Sequence, residues 1–345
     1  MQRSRKARDN QRRSFLKFSG LLGLGTMASM FLPAEKAEAL LFNKKEYKIS
    51  KTRLGMGTYI AMTAIHPSID QAEEAFGLAF DVINRLSALL SRHAPGSPIS
   101  ELNRTARLTD APVEVQEVIA RSLYYNRETG GMFDITVKPL IDLYQSSFAR
   151  NRKPEEHELQ EVLALIGSQG LKFAGNSISF TRDNMGVTLD GIAKGYIVDR
   201  ASEILVAHGI DNHLINAGGD IRTSGTAARG RKWSVAIQDP KKNRDYPEVI
   251  SMAAGAIATS GNYEVFYDRE KIFHHIVDSR SGRSPQLSAS VSVMAPTVMQ
   301  ADALSTAVFV FEPQRGTAFI NRLPDCQCFV VSQDGAVSKS SGWKS

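Results

Sequence analysis

Near the C-terminal end, Gln300-Ala301-Asp302-Ala303-Leu304-Ser305-Thr306-Ala307-Val308 has the composition of a helix start. Asp302 and Thr306 are four residues apart, so on a helix they stand on one face about one turn from each other. A carboxylate and a hydroxyl there offer two hard oxygen ligands of the kind magnesium takes, with phosphate and water completing its shell. Spacing alone fits a plainer arrangement better, in which the aspartate complements the helix dipole and the threonine faces solvent. A second candidate is Thr188-Leu189-Asp190-Gly191-Ile192-Ala193-Lys194-Gly195-Tyr196, an apolar run ending in small residues and opening a lysine-bearing helix. Free N–H groups at such a start favour an anion, which makes this a phosphate-binding design. The third is Asn216-Ala217-Gly218-Gly219-Asp220, where two glycines after the strand His213–Asn216 admit a close backbone or a flat ligand; turns and bulges use the same residues.

Two further groups bear on chemistry. Phe273-His274-His275-Ile276-Val277-Asp278 alternates as a strand would, which sends His274 and His275 to opposite faces and leaves one to serve a site. Imidazole is a general base near neutral pH, although a strand histidine is more often structural. Asp134, in Met132-Phe133-Asp134-Ile135-Thr136-Val137, is a carboxylate on an apolar turn and needs partners; it caps the following segment or binds a ligand.

The elements that must position these residues follow from periodicity. Phe76, Ala79, Phe80, Ile83, Leu86 and Leu90 recur at helical spacing from Asp70 to Ser91, with Asp70 as the expected cap. Arg92 to Arg104 reads as a loop, Val113 to Thr129 as a helix stopped by Gly130-Gly131, and Pro154 to Ile166 as another helix. Leu171–Phe173 and Ile178–Phe180 form a hairpin through Gly175-Asn176. The helix carrying Lys194 runs on to Gly209. Strands are expected at 53–62, 233–237, 256–260, 265–267, 272–277 and 291–294, and Cys326 and Cys328 read as strand residues. Hairpin-linked strands outnumber helices, so the expected class is α+β with largely antiparallel sheets and packed helices, against a doubly wound fold.

The chain has 345 residues and a formal net charge of +6, but residues 1–39 hold eight Lys or Arg against three Asp or Glu. The remainder carries +1, which gives no case for nucleic acid or an anionic membrane as partner. Within that N-terminal stretch, Arg12-Arg13-Ser14-Phe15-Leu16-Lys17 precedes a glycine-containing apolar run and Ala37-Glu38-Ala39. This is the pattern of a twin-arginine export signal, residues 1–39, cut after Ala39. The expectation is a mature domain of residues 40–345 delivered to the periplasm by the twin-arginine machinery.

Met56-Gly57-Thr58, Phe133-Asp134-Ile135-Thr136-Val137, Gly191-Ile192-Ala193-Lys194-Gly195-Tyr196, Asn216-Ala217-Gly218-Gly219-Asp220, Ala258-Thr259-Ser260-Gly261, His275-Ile276-Val277-Asp278 and Ala301-Asp302-Ala303-Leu304-Ser305-Thr306, in this order, resemble the ApbE family of FAD:protein FMN transferases. The resemblance spans about Leu54 to Val331, and with the export signal it is nearest the exported members associated with nitrous-oxide reduction. It implies a T-fold-like α+β architecture and a magnesium-dependent reaction in which an acceptor threonine attacks the FMN-side phosphorus of FAD and AMP departs. The implied metal ligands are Asp302, Thr306, Ser305 and a main-chain oxygen of the Gly191 to Ala193 turn. Lys194 is implied at the diphosphate, and Met56, His93, Met132, Phe133, Asp134, Thr188 and Val277 around the flavin nucleotide. His275 is the candidate base. The implied partners are FAD and an acceptor flavoprotein of a respiratory or nitrous-oxide-reducing system.

Three positions depart from the family pattern. Thr188 replaces a common aspartate, with Asp190 two residues on. Ser279 replaces the usual proline and is expected to loosen its turn. An aromatic segment is reduced to Leu143-Tyr144-Gln145, leaving little to stack on a flavin. Two other activities share the same residues: holding FAD without transfer, and hydrolysing FAD to FMN and AMP.

Overall fold

Strand alternation and one helix buried on nearly every side decide the architecture of this computed structural model, which describes residues 38–41, 46–241, 246–263, 265–268 and 272–343. In chain order, β1 (Glu38–Leu41), β2 (Tyr47–Gly55) and β3 (Thr58–His66) form an antiparallel meander and lead into α1 (Ile69–Leu90). There follow α2 (Pro98–Thr105), β4 (Arg107–Leu108), α3 (Val113–Glu128), α4 (Lys138–Ala149), α5 (Glu156–Leu163), β5 (Leu171–Ala174) and β6 (Ser177–Phe180). The second half runs α6 (Ala193–Ala207), β7 (His213–Ala217), β8 (Asp220–Ser224), β9 (Trp233–Ile237), β10 (Glu248–Met252), β11 (Gly255–Gly261) and β12 (Ser288–Ala295). It ends with α7 (Val298–Val310), α8 (Pro313–Ile320), β13 (Gln327–Ser332) and β14 (Val337–Lys339).

Among the described residues one nine-stranded sheet has the order β1-β2-β3-β7-β8-β11-β12-β13-β14, and every neighbouring pair in it is antiparallel. Period-two alternation gives it two buried faces. Ala256 and Ala258 of β11 and Cys328 and Val330 of β13 face the helices, while Ile257, Phe329 and Val331 face away. On the helical side lie α1, α6 and α7. Buried on nearly every side and mostly apolar, α7 is enclosed by β11, β12, α3, α6 and α8, with Asp302, Ser305 and Thr306 as its inward polar residues. The other side is covered by the β9–β10 hairpin, whose Val235, Ile237, Ile250 and Met252 pack on Ile221, Ile257 and Phe329. Each such side chain taken fully out of water contributes about 1.5–3 kcal/mol. The α+β class with antiparallel sheets is the architecture observed.

Local corrections have physical causes. Ser68, not Asp70, caps α1, accepting from the Gln71 N–H at 3.2 Å; Asp70 sits inside the first turn. The stretch 53–62 is two strands, because Met56 and Gly57 both take positive φ and turn the chain into a β2–β3 hairpin. Part of the expected 92–104 loop is α2, where Pro98 sits harmlessly at the first turn under a Ser97 cap 3.0 Å from the Ser100 N–H. α6 ends at Ala207, with the αL residue Gly209 just beyond. Among the described residues, the expected strands 265–267 and 272–277 reduce to an isolated antiparallel bridge, Phe266 to His274. Tyr267 and Phe273 instead turn into an aromatic cluster with Tyr144 and Phe148 of α4. Cys326 and Cys328 are buried free thiols, and only Cys328 lies on a strand.

The twin-arginine segment lies outside the described residues. The expected cut after Ala39 falls inside β1, which pairs Glu38–Leu41 with Tyr47–Ser50.

Candidate functional site

The starts of α6 and α7 meet at one end of the main sheet, and a cavity of about 1230 Å³ opens beside them. Before α6 the chain turns on the Leu189 carbonyl, which accepts from the Ile192 N–H at 3.0 Å and the Ala193 N–H at 2.8 Å. The residues leading into this turn, 185–189, lie outside any strand. Gly191 is required there: a Cβ would stand 2.9 Å from Thr306 Oγ1 and 3.3 Å from the Phe133 ring. The anion on the helix start is the chain's own, since Asp302 Oδ2 accepts from the Gly195 N–H at 3.1 Å. The phosphate-nest reading of that start is corrected to this extent: one of its donors is already occupied.

Thr306 Oγ1 lies 3.3 Å from Ser260 Oγ. Ser305 stands apart: fully buried and outside the cavity lining, it donates to the Asp302 carbonyl at 3.0 Å and meets Ser260 Oγ at 2.8 Å. Its side chain holds the α7 turn instead of reaching the cavity. Lys194 Nζ lies 3.2 Å from Asp220 Oδ2, so the lysine expected at a diphosphate is held by a carboxylate of the Gly-Gly-Asp motif. Burial raises the Asp220 carboxyl above its usual range, opposed by Lys194 and a main-chain bond from Thr259. Burial raises Asp302 well above its usual range, and the neighbouring Asp220 adds to this against Lys194 and the Gly195 N–H.

The glycine pair serves close approach. Gly218 and Gly219 take φ of +63° and +101° at the β7–β8 turn, and a Cβ on Gly218 would meet Thr58 Oγ1 at 2.5 Å. What comes close is thus strand β3, while both glycines also line the cavity. Asp134 takes the capping role from a place on the cavity wall. Its Oδ1 caps the 135–137 turn, accepting from the Thr136 N–H at 2.8 Å, the Thr136 hydroxyl at 2.6 Å and the Ser168 hydroxyl at 2.9 Å, and the residue lines the cavity. Met132 and Phe133 line the same wall; the Asn126 amide donates to the Phe133 carbonyl at 2.8 Å. Met56, His93, Thr188, Gly191, Ala193, Lys194, Val277, Asp302 and Thr306 complete the set that converges there.

His274 and His275 do diverge, although not on a strand. His274 is fully buried with Nε2 2.9 Å from the Pro285 carbonyl, whereas His275 is half-buried and lines the cavity, its Nδ1 3.4 Å from the Val265 carbonyl. Burial lowers His274 to about 4.

The family departures have structural answers. Thr188 is buried, its Oγ1 accepting from the Asp190 N–H at 3.3 Å. Ser279 does not loosen its turn, because its hydroxyl donates to the Gly131 carbonyl at 3.0 Å and ties 278–282 to the Met132 wall. Tyr144 is buried in the aromatic cluster, and the tyrosine that lines the cavity nearby is Tyr267. Sequence reasoning missed Arg92, Ser260 and Tyr267 as lining residues. Arg92 carries a buried side chain between Asp190 at 3.3 Å and Asp142 at 3.5 Å. Its only signal was its place next to His93.

Among the described residues no group of three or more His, Cys, Asp or Glu is arranged to hold a metal ion. A hard cation taking oxygens is a separate case. One carboxylate, one hydroxyl and the Gly191 turn pressed against that hydroxyl supply such oxygens, and two buried carboxylates here face a single lysine. The donor set fits magnesium.

Residues 56–330 match the model of the ApbE family. The chain belongs to the ApbE family. It is 27% identical over 320 residues to the FAD:protein FMN transferase of Treponema pallidum, covering 86% of this chain and 88% of that one. The crystal structure of the ApbE protein of Thermotoga maritima superposes with a TM-score of 0.79 at 25% identity, covering 85% of this chain and 97% of that one. The flavin transferase ApbE of Vibrio cholerae gives 0.74 at 26% identity, with 85% and 96% covered. The ApbE-family segment thus contains every residue of the cavity wall discussed above.

Proposed function

We propose that this ApbE-family chain is an FAD:protein FMN transferase that uses magnesium, takes FAD into the cavity and transfers FMN to an acceptor threonine, releasing AMP. The observation that carries the reading is the convergence of Asp302, Thr306 and the Gly191 turn, with Lys194 beside them, on a cavity larger than the roughly 300–1,000 Å³ of ordinary small-molecule sites. Asp302, Thr306 and a main-chain oxygen of the 191–193 turn would hold the cation, and Ser305 supports them through the Asp302 carbonyl. Magnesium there supplies charge neutralisation at the diphosphate.

The chain's own residues do the rest. Lys194, steadied by Asp220, presents its ammonium to the phosphate oxygens. Phe133, Met132 and Asp134 form a fixed wall for the flavin nucleotide, because Asn126, Thr136 and Ser168 hold their backbone or carboxylate. His275 accepts the proton as the threonine oxygen bonds to the FMN-side phosphorus. The phosphorus–oxygen bond to AMP breaks, and AMP leaves with the bridging oxygen. Position and charge supply most of the rate in such a transfer.

Export by the twin-arginine route to the periplasm, and an acceptor in a respiratory or nitrous-oxide-reducing system, belong to the same reading; the Arg12-Arg13 signal supports it. The test is incubation of the mature protein with FAD, MgCl2 and the acceptor of a relative. Covalent flavin on the acceptor together with AMP supports transfer. Retention of intact FAD would indicate a binding protein, and release of free FMN without acceptor a pyrophosphatase.

A further inference from the structure

The starts of α6 and α7 are capped reciprocally, each by a carboxylate from the other helix. Ile192 supplies no side-chain cap to α6; Asp302 of α7 accepts its Gly195 N–H instead. In return Asp199 of α6 accepts the Val298 N–H at 3.0 Å through Oδ1 and the Met299 N–H at 2.9 Å through Oδ2. Thr297 caps the next donor, accepting from Gln300 at 3.2 Å. Asp199 is itself buried, with Arg222 Nη1 3.7 Å from Oδ1, and Arg222 also donates to the Pro296 carbonyl just before α7. Gly195 makes the clasp geometrically possible: a Cβ there would stand 2.5 Å from the Val298 carbonyl oxygen.

We propose that Asp199, which touches neither the cavity nor the candidate metal ligands, is a positioning residue that sets the rotation and depth of α7 and so holds Asp302 and Thr306 toward the Gly191 turn. The inference rests on the proposed metal role of Asp302 and Thr306. Its physical basis is lever-like. Asp199 grips the first two residues of α7, and Asp302 and Thr306 follow within three turns of a rigid helix, so a shift at the grip is carried to both ligands. Two charge-assisted bonds from one carboxylate fix both rotation and translation, which a single neutral cap does not. A local side-chain cap is already present in Thr297, so Asp199 adds a second, long-range grip on the same helix start.

The experiment is Mn²⁺ titration of the full mature chain with FAD present, followed by the loss of the free-ion EPR signal, on the unaltered protein, Asp302→Ala, Asp199→Ala, Asp199→Asn and Val331→Ala. Val331 lies in the core on the far face of the sheet and reports what loss of stability alone does. The expected result is no site in Asp302→Ala, at least tenfold weaker binding in Asp199→Ala, an intermediate loss in Asp199→Asn, and unaltered affinity in Val331→Ala. Should Asp199→Ala not fold, Asp199→Asn keeps the shape and one acceptor and carries the test. Wild-type affinity in either folded Asp199 variant, or equal weakening in Val331→Ala, would overturn the positioning role while leaving the metal site standing. Failure of the unaltered protein to bind Mn²⁺ would overturn the metal reading and the positioning role with it.

Discussion

At the scale of single residues, the two adjacent histidines show how burial divides labour. His274 and His275 share a side-chain type and a neighbourhood, yet one is sealed against Pro285 and Phe309 and the other faces the cavity. In the proposed transfer, proton acceptance falls to His275, the one of the pair that lines the cavity. His275→Ala is expected to slow FMN transfer by about 10²–10⁴-fold while FAD affinity, read by flavin fluorescence, changes little. Equal loss of binding and transfer would make His275 a wall residue instead. The sequence already separated the two histidines by alternation. The separation survives with little regular strand behind it: Tyr267 and Phe273 are drawn into the α4 aromatic cluster, and Phe266 and His274 form an isolated antiparallel bridge. Nothing in spacing announces a four-ring cluster assembled from segments more than a hundred residues apart.

At the scale of elements, the site is a junction of two helix starts on a sheet end, and glycine decides how close they come. Gly195→Ala adds a Cβ 2.5 Å from the Val298 carbonyl, a main-chain atom that cannot swing aside. Overpacking of this kind costs about 1–3 kcal/mol. The variant is expected to unfold at a lower temperature and to lose transfer more than its stability loss explains, because α7 carries Asp302 and Thr306. Full activity at reduced melting temperature would show that the helix contact matters for folding only. Most of this junction was legible. The Gly-Ile-Ala-Lys-Gly and Asp302 to Thr306 spacings placed both helices, and the Gly-Gly pair placed the β7–β8 turn. The reciprocal caps were not legible, because Asp302 and Gly195 lie 107 positions apart and Asp199 and Val298 lie 99 apart, and each aspartate looks like an ordinary helical one. Likewise α2 hid behind Pro98, a residue that signals a loop unless it stands in a helix's first turn.

At the scale of the whole molecule, two buried neutral histidines tie stability to pH. Burial holds both His213, bonded to Ser202 and the Ile210 carbonyl, and His274 down to about 4, below the ordinary 6.5. Between those values the unfolded chain takes up protons that the folded chain refuses, so their contribution is complete above about pH 6.5 and is lost as pH falls toward 4. On acidification from pH 7 to pH 5 these two groups disfavour the fold while the buried Asp199, Asp220 and Asp302 carboxyls, all raised, favour it, so the histidine contribution is read as a difference: His213→Gln is expected to lose less melting temperature over that range than the unaltered protein. A parallel pH dependence in that variant would remove His213 from the explanation. The sheet order was less legible than the class. The sequence marks strands and hairpins locally, whereas the juxtaposition of β3 with β7 depends on the core that α1 and α6 build over them.

The proposed transfer turns on a divalent ion held by Asp302 and Thr306 against the diphosphate of FAD. The most direct measurement is the structure of the protein with FAD and MgCl2. The expected result is a cation about 2.0–2.1 Å from the Asp302 carboxylate and the Thr306 hydroxyl and from a carbonyl of the 191–193 turn, with a diphosphate oxygen in its shell. A diphosphate bound elsewhere in the cavity, with Asp302 making only its bond to Gly195, would contradict it.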